Sequence, residues 1–259
     1  MPSSTTLQNK NNQKASIRLW AVALWLIIWQ AAAMLVGRDF LLASPITVVR
    51  RFFALASTAA FWKAALFSLE RIFSGYLLGL AAGIVCAALA AHWRRVRELI
   101  APVWAVLRAI PVASFVIVAL IWVPSKNLSA LIVFLIIFPV IYAAALNEIG
   151  RVDPKMLEMA HVFRMPVWKR MLYVYILPAI PGFSGTCATA MGLAWKSGAA
   201  AELIAIPTGS IGEKLYNAKV YLMTGDLFAW TLLIILLSAG CARLLTWILN
   251  RIRVRIEGR

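Results

Sequence analysis

The chain has 259 residues, 63% of them hydrophobic and 14% charged, with a formal net charge of +16. No single aqueous core of this length hides so much apolar surface, so an ordinary soluble domain is excluded and a lipid-embedded one is implied. The positive charge does not mark a nucleic-acid binder, because the cations sit in short clusters between long apolar runs instead of gathering on one solvated face.

Residues 1–18 are rich in Asn, Gln, Ser and Thr and predict a disordered cytoplasmic tail. A bilayer core of about 30 Å takes about 20 apolar residues as helix, and the first such run is 19–37, with Gln30 its only strongly polar member. Ala31-Ala32-Ala33 resembles a signal-peptidase site, but apolar residues continue to Val36, so the run reads as an uncleaved helix. Pro45 suits a helix start. An interfacial helix is expected over 46–57, with Arg50 and Arg51 reaching toward headgroups.

The second span is predicted over 72–91. There Gly75, Gly79, Gly83, Ala87 and Ala91 recur every four residues. Such a stripe lets another helix backbone come close in lipid, and packing within one protomer is expected ahead of a dimer seam. The third span is expected over 100–123, with Arg108 in its first third and Pro111 beyond it, and the fourth over 128–146.

A long loop follows over 147–170. Asp153-Pro154 is a helix start, since Asp caps free amides and Pro suits the first turn. A short helix should run from Pro154 to about Phe163, and Pro166 should open another that feeds the fifth span, 171–195. Residues 204–226 read as a loop folded partly back onto the membrane surface. The sixth span is 227–249, and 251–259 form a basic tail. Backbone amides in lipid must pair internally, so these runs are helices. The fold class is all-α: a polytopic membrane protein of about six transmembrane helices, with one permease domain over 19–250.

With the N-terminus inside, fifteen Lys and Arg fall in inner segments and seven in outer ones. The positive-inside rule therefore predicts both termini in the cytoplasm.

Cys86, Cys187 and Cys241 each stand alone in an apolar run. His92 and His161 are far apart, with no metal-ligand spacing and no nucleophile elbow. Catalytic residues and a metal site are not expected, which sets aside a membrane enzyme. A transporter or channel working alone is the competing reading. No paired repeat or intramembrane acid chain supports it. A purely structural anchor is the third reading.

The run from Leu157 through Glu158, Met159 and Ala160 to Arg164, followed by Ile176-Leu177-Pro178, resembles the EAA loop of ABC-importer permeases. Met159 and Arg164 depart from the usual pattern, which has Gly at the latter place. Leu42-Ala43-Ser44-Pro45, Ser68-Leu69-Glu70-Arg71, Leu107-Arg108-Ala109-Ile110-Pro111, and Ala194-Trp195 with Ala201-Glu202 are similar to the nitrate, sulfonate and taurine branch. The resemblance implies a type I ABC-importer permease fold in a bacterial inner membrane. Two permease copies, as a homodimer, would pair. Two cytoplasmic ATPases would dock on Glu158, Met159, Ala160 and Arg164, and an extracytoplasmic binding protein would deliver solute. The solute would be a small anion of sulfonate, taurine or nitrate type, with a thiamin-precursor pyrimidine as the other choice. The chain has no GxxxxGK[ST] loop, so ATP would be bound by the partner and this chain would hold no cofactor.

Ionisable groups in or near spans tend to face cavities or partners. Glu70, Arg108, Lys196 and Glu202 are therefore gate or pathway candidates, with Pro111 where a helix can open. One expectation is an ion pair between Lys196 and either Glu70 or Glu202. Another is that Lys196 or Arg108 attracts an anionic solute, and a third is that Lys196 only snorkels. Ser184, Gly185, Thr189, Met191 and Gly192 give the fifth span a small, mildly polar character, so the third and fifth spans are expected to line the pore.

Overall fold

A computed structural model describes residues 19–38 and 41–257, all helix, turn or irregular chain. The expected tail over 1–18 and the residues 258–259 lie outside these. In chain order the helices are α1 (Leu19–Val36), α2 (Pro45–Ala56), α3 (Ala59–His92), α4 (Arg94–Ala109), α5 (Val112–Ala119) and α6 (Ser125–Gly150). Then come α7 (Pro154–Val162), α8 (Val167–Arg170), a π-helical turn at Met171–Ile176, α9 (Leu177–Ala205), α10 (Ile211–Val220) and α11 (Thr224–Glu257).

Four helical stretches are long and apolar enough to cross a membrane: those of α3 and α6, the run from α8 through α9, and α11. The bent pair α4–α5 makes a fifth, and the apolar α1 is shorter. The four stretches and the bent pair fall on five of the six runs read from hydropathy, and α1 falls on the first run but is shorter than a full span. Several are longer than expected, because hydropathy marks only the lipid-facing part of a helix that continues beyond it.

The third span is a correction. One span over 100–123 is expected, but the chain forms two helices there, bent by 102° between α4 and α5. Pro111 lacks an amide hydrogen and disfavours helical geometry in the residue before it. Ile110 accordingly sits at φ −70° and ψ 127°, in extended conformation. A second correction is the stretch 204–226, which contains the helix α10 and is not a simple loop.

The core is built on α3 against α6. A Cβ on Gly75 would overlap the Ala130 carbonyl, and one on Gly79 would lie 3.0 Å from Ile137 Cβ. One on Gly83 would lie 2.8 Å from Ile141 Cγ2. The small stripe is thus the groove in which α6 lies. Helix association in lipid gains little from the hydrophobic effect and depends on such close contact.

Helix α9 covers this pair. Tyr76 donates its hydroxyl hydrogen to the Cys187 carbonyl at 3.1 Å, and Trp195 is buried among Ile72, Met191 and Trp230. Across the bundle's outside, large apolar side chains such as Trp25, Leu35, Trp62 and Trp122 are exposed. This is the expected state of residues whose solvent is hydrocarbon.

Arg51 of α2 donates through Nε and Nη2 to both carboxylate oxygens of Asp226, at 2.6 and 2.9 Å. This bidentate pair fastens α2 to the first turn of α11. It also gives a partner to one of the seven cations counted in outer segments.

Candidate functional site

One end of the bundle carries the segment α7–α8. Asp153 caps α7, its side chain accepting from the Lys155 amide at 2.9 Å, and Pro154 occupies the first turn. The helix ends in a Schellman motif. The Met165 amide donates to the Ala160 carbonyl at 2.9 Å and the Arg164 amide to the His161 carbonyl at 3.0 Å. The position after the cap in this motif requires left-handed backbone and usually takes Gly. Here it is Arg164, at φ 46°. Pro166 then starts α8, which runs through the π-helical turn into α9.

Ala160 is buried at 1% exposure, while Met159, Val162 and Phe163 are exposed at 48%, 76% and 74%. Val167 and Trp168 continue this apolar surface beyond the break. Glu158 is exposed and makes no ion pair among the described residues. Lys169 and Arg170 close the segment.

The other end holds a buried polar junction. Glu202, in the last turn of α9, is fully buried. Its Oε2 accepts from Ser68 Oγ at 2.6 Å and from the Gly212 amide at 3.3 Å. Ser68 Oγ in turn accepts from the Ile211 amide at 2.9 Å. The first two amides of α10 are therefore satisfied by α9 and α3. A carboxylate at a helix N-terminus also meets the positive end of the helix dipole. A Cβ on Gly212 would collide with Glu202, so only glycine permits this approach. Glu202 Oε1 and the Ser129 hydroxyl are buried without a hydrogen-bond partner.

The expected ion pair of Lys196 with Glu70 or Glu202 does not form; Glu202 is occupied by Ser68 and α10, and Lys196 and Glu70 are both exposed. Lys196 instead continues an exposed face of α9 that includes Gly185 and Thr189. A Cβ on Gly185 or on Gly192 would meet nothing within 4 Å. Arg108, also exposed, lies 4.6 Å over the Trp104 ring on α4. Pro111 sits at the α4–α5 bend, beside an apolar cleft lined by Leu107, Ile110, Phe115, Ile132 and Ile136. The structure thus separates the five gate and pathway candidates: Glu202 is a buried junction, and the other four lie apart from it on exposed surfaces.

Sequence reasoning missed Ser68 as the partner of Glu202, and Gly212 as the glycine that admits it. The run Gly209-Ser210-Ile211-Gly212 after a lone intramembrane Glu was the available signal. Arg71 was missed too: it donates through Nη1 to the Lys126 carbonyl and, at 2.6 Å, to Asn127 Oδ1, joining α3 to the start of α6.

Comparisons with known proteins give the family and the fold. Residues 79–257 match the family described as Binding-protein-dependent transport system inner membrane component. The chain is 29% identical to the Riboflavin transport system permease protein RibX of Chloroflexus aurantiacus, with 86% of each chain covered. It is 28% identical to the Putative aliphatic sulfonates transport permease protein SsuC of Bacillus subtilis (80% of this chain, 75% of that one). It is 27% identical to the Nitrate import permease protein NrtB of Synechococcus elongatus (87% and 85%). In fold it resembles a chain of a bacterial alginate ABC transporter crystallised with an alginate pentasaccharide-bound periplasmic protein. The TM-score is 0.59 at 13% identity, covering 92% of this chain and 93% of that one. A chain of an amino acid ABC transporter gives 0.59 at 16% identity, covering 79% and 98%.

Proposed function

The chain belongs to the inner-membrane component family of binding-protein-dependent transport systems and is a multi-pass ABC-importer permease, and from that premise we propose how it works. Two copies pair around a pathway, a separate ATPase dimer docks on α7–α8, and a binding protein delivers solute to the opposite end. Both termini lie in the cytoplasm, on the α7 side, as the excess of inner cations favours.

The observation that carries this reading is the apolar face of α7–α8. Met159, Val162, Phe163, Val167 and Trp168 are exposed on a short helical elbow flanked by Lys155, Lys169 and Arg170. A charged-flanked apolar patch of this kind fits a groove on a protein partner. The Schellman turn at Arg164 holds the two helices of the elbow at a set angle, so a push on α7 is passed to α9 rather than absorbed.

The pathway runs along the exposed α9 face that carries Gly185, Thr189, Gly192 and Lys196, and past the α4–α5 bend at Pro111. The unpaired Lys196 ammonium favours an anionic solute. Relatives named for sulfonate and nitrate support the same charge, and the riboflavin relative keeps the family's solute range wide.

The test is purification of the permease together with a partner ATPase and a binding protein, followed by uptake in proteoliposomes. Solute uptake that requires ATP and the binding protein is the expected result. Uptake by the permease alone, with no ATPase present, would overturn the reading in favour of a stand-alone transporter. Single cysteines over residues 155–165 are expected to crosslink to the ATPase.

A further inference from the structure

We propose that Glu148 and Gly182 form the neck of the coupling elbow, a contact that ties the two legs of the loop together so that the adjoining ends of α6 and α9 move as one body when α7 is displaced. This rests on the reading of α7–α8 as the ATPase docking element.

The chain leaves the bundle at the end of α6 and returns at the start of α9. Glu148 lies in the last turn of α6 and Gly182 in the second turn of α9. A Cβ on Gly182 would fall 2.6 Å from Glu148 Oε1, 3.1 Å from Cδ and 3.3 Å from Oε2. The Glu148 carboxylate therefore rests in the space that the missing side chain of Gly182 leaves.

The same Oε1 accepts from Arg151 Nη1 at 3.1 Å. Arg151 is the cap residue of α6 and stands two positions before Asp153, which caps α7. One carboxylate thus touches α9 with its face and the entry to the elbow with its oxygen.

Attraction to Arg151 does not explain why Glu148 is placed there. The Arg151 side chain is 70% exposed and that of Glu148 only 17%, and a pair with one partner so open is screened by water. Gly182 leaves the room in which the carboxylate lies. An apolar residue at 148 would pack on α9 but make no link to Arg151, and a residue that only paired with Arg151 would not need a glycine opposite.

Farther along, α6 and α9 already share a packed core, with Val133, Ile137 and Ile141 beside Cys187 and Met191, so the neck acts at their ends, from which the loop over 151–176 hangs. Without it, a displacement of α7 would be partly lost as local bending of those two ends. Glu148 and Gly182 are positioning residues, acting through α7 and α9 and not on solute.

The experiment uses the complete importer in proteoliposomes and reads solute taken up per ATP hydrolysed, together with ATPase co-purification. E148A removes the neck contact without adding bulk and is expected to lower uptake per ATP about fivefold while the ATPase still co-purifies. E148Q keeps the shape that rests on Gly182 and is expected to stay within about twofold of the unmodified chain. G182A pushes a methyl against the flexible end of Glu148, which can swing aside, and is expected to fall between the unmodified chain and E148A, while E148A/G182A, which lacks the same carboxylate, is expected to match E148A.

An E148A ratio equal to that of the unmodified importer overturns the proposal. So does an E148Q ratio as low as that of E148A. Failure of the docking reading would show differently, as an unmodified permease that retains no ATPase.

Discussion

Ser68 and Glu202 stand 134 positions apart in the chain, yet Ser68 Oγ donates to Glu202 Oε2 at 2.6 Å inside a fully buried contact. This hydrogen bond joins α3 to α9, and because Ser68 also receives the Ile211 amide, it seats the N-terminus of α10 on both. Glu202 therefore serves as an internal post on which three helices meet, and the solvent-facing charge of the same helix is Lys196.

Removing Ser68 should be expensive. Ser68→Ala leaves the Glu202 carboxylate without its shortest donor and the Ile211 amide without an acceptor, an expected loss of about 2–3 kcal/mol of stability. Ser129→Ala removes a hydroxyl that lies near the same carboxylate but makes no hydrogen bond of normal length, and should cost clearly less than Ser68→Ala. Thermal unfolding of the purified variants in detergent measures both, and equal midpoints for the two would contradict the assignment.

Lys196 acts without a carboxylate partner in this structure. Exchanging charges in Lys196→Glu with Glu202→Lys is expected to recover no uptake beyond the single variants. Lys196→Ala alone should raise the KM for an anionic solute about tenfold, the scale of one lost charge contact. Transport assays across a range of solute concentrations check this. An unchanged KM would remove Lys196 from the pathway.

Gly75 of α3 and Gly192 of α9 should respond in opposite ways. Gly75→Ala drives a methyl into the Ala130 backbone, which cannot turn aside as a side chain can. A loss of about 2 kcal/mol or more is expected from forced helix separation. Gly192→Ala meets open space, and its gain in helix propensity of about 1 kcal/mol is not opposed by any contact. Folded yield and midpoint of unfolding in detergent should fall for the first and hold or rise for the second.

Arg164 bears the left-handed turn that ends α7. A non-glycine residue there costs about 1–2 kcal/mol, partly offset by the greater unfolded freedom of glycine. Arg164→Gly should therefore stabilise the elbow by up to about 1 kcal/mol and preserve ATP-driven uptake. Hydrogen exchange of the Met165 amide, which closes the turn on Ala160, reports the change directly: slower exchange in the variant is expected, and faster exchange would contradict it.

Much of the α7–α8 elbow is legible in the residues themselves. Asp153-Pro154 announces a helix start and Pro166 the next one, because capping and the proline ring act over two or three positions. The expected helix from Pro154 to about Phe163 is observed as Pro154–Val162. Reading Arg164 as a departure from a glycine pattern left the turn unresolved. The backbone resolves it, since Arg164 adopts the geometry that glycine would.

The α4–α5 bend shows the limit of that local logic. Pro111 was visible, but a proline in an apolar run can kink a span slightly or break it. The 102° outcome depends on what packs on either side. Trp104 anchors α4 by donating to the Pro139 carbonyl at 3.1 Å, while α5 turns its Val116 and Ala119 onto Leu128, Ile132 and Ala201.

By itself the sequence determined that this chain is a bundle of lipid-spanning helices with a capped elbow, because hydropathy, capping and proline chemistry are properties of adjacent residues. Tertiary structure alone decided that Glu202 faces Ser68 and not Lys196, that Gly75 opens onto Ala130, and that Glu148 rests on Gly182. Such pairings depend on the rotation and approach of helices distant in the chain, and that geometry is set by close packing of many side chains at once.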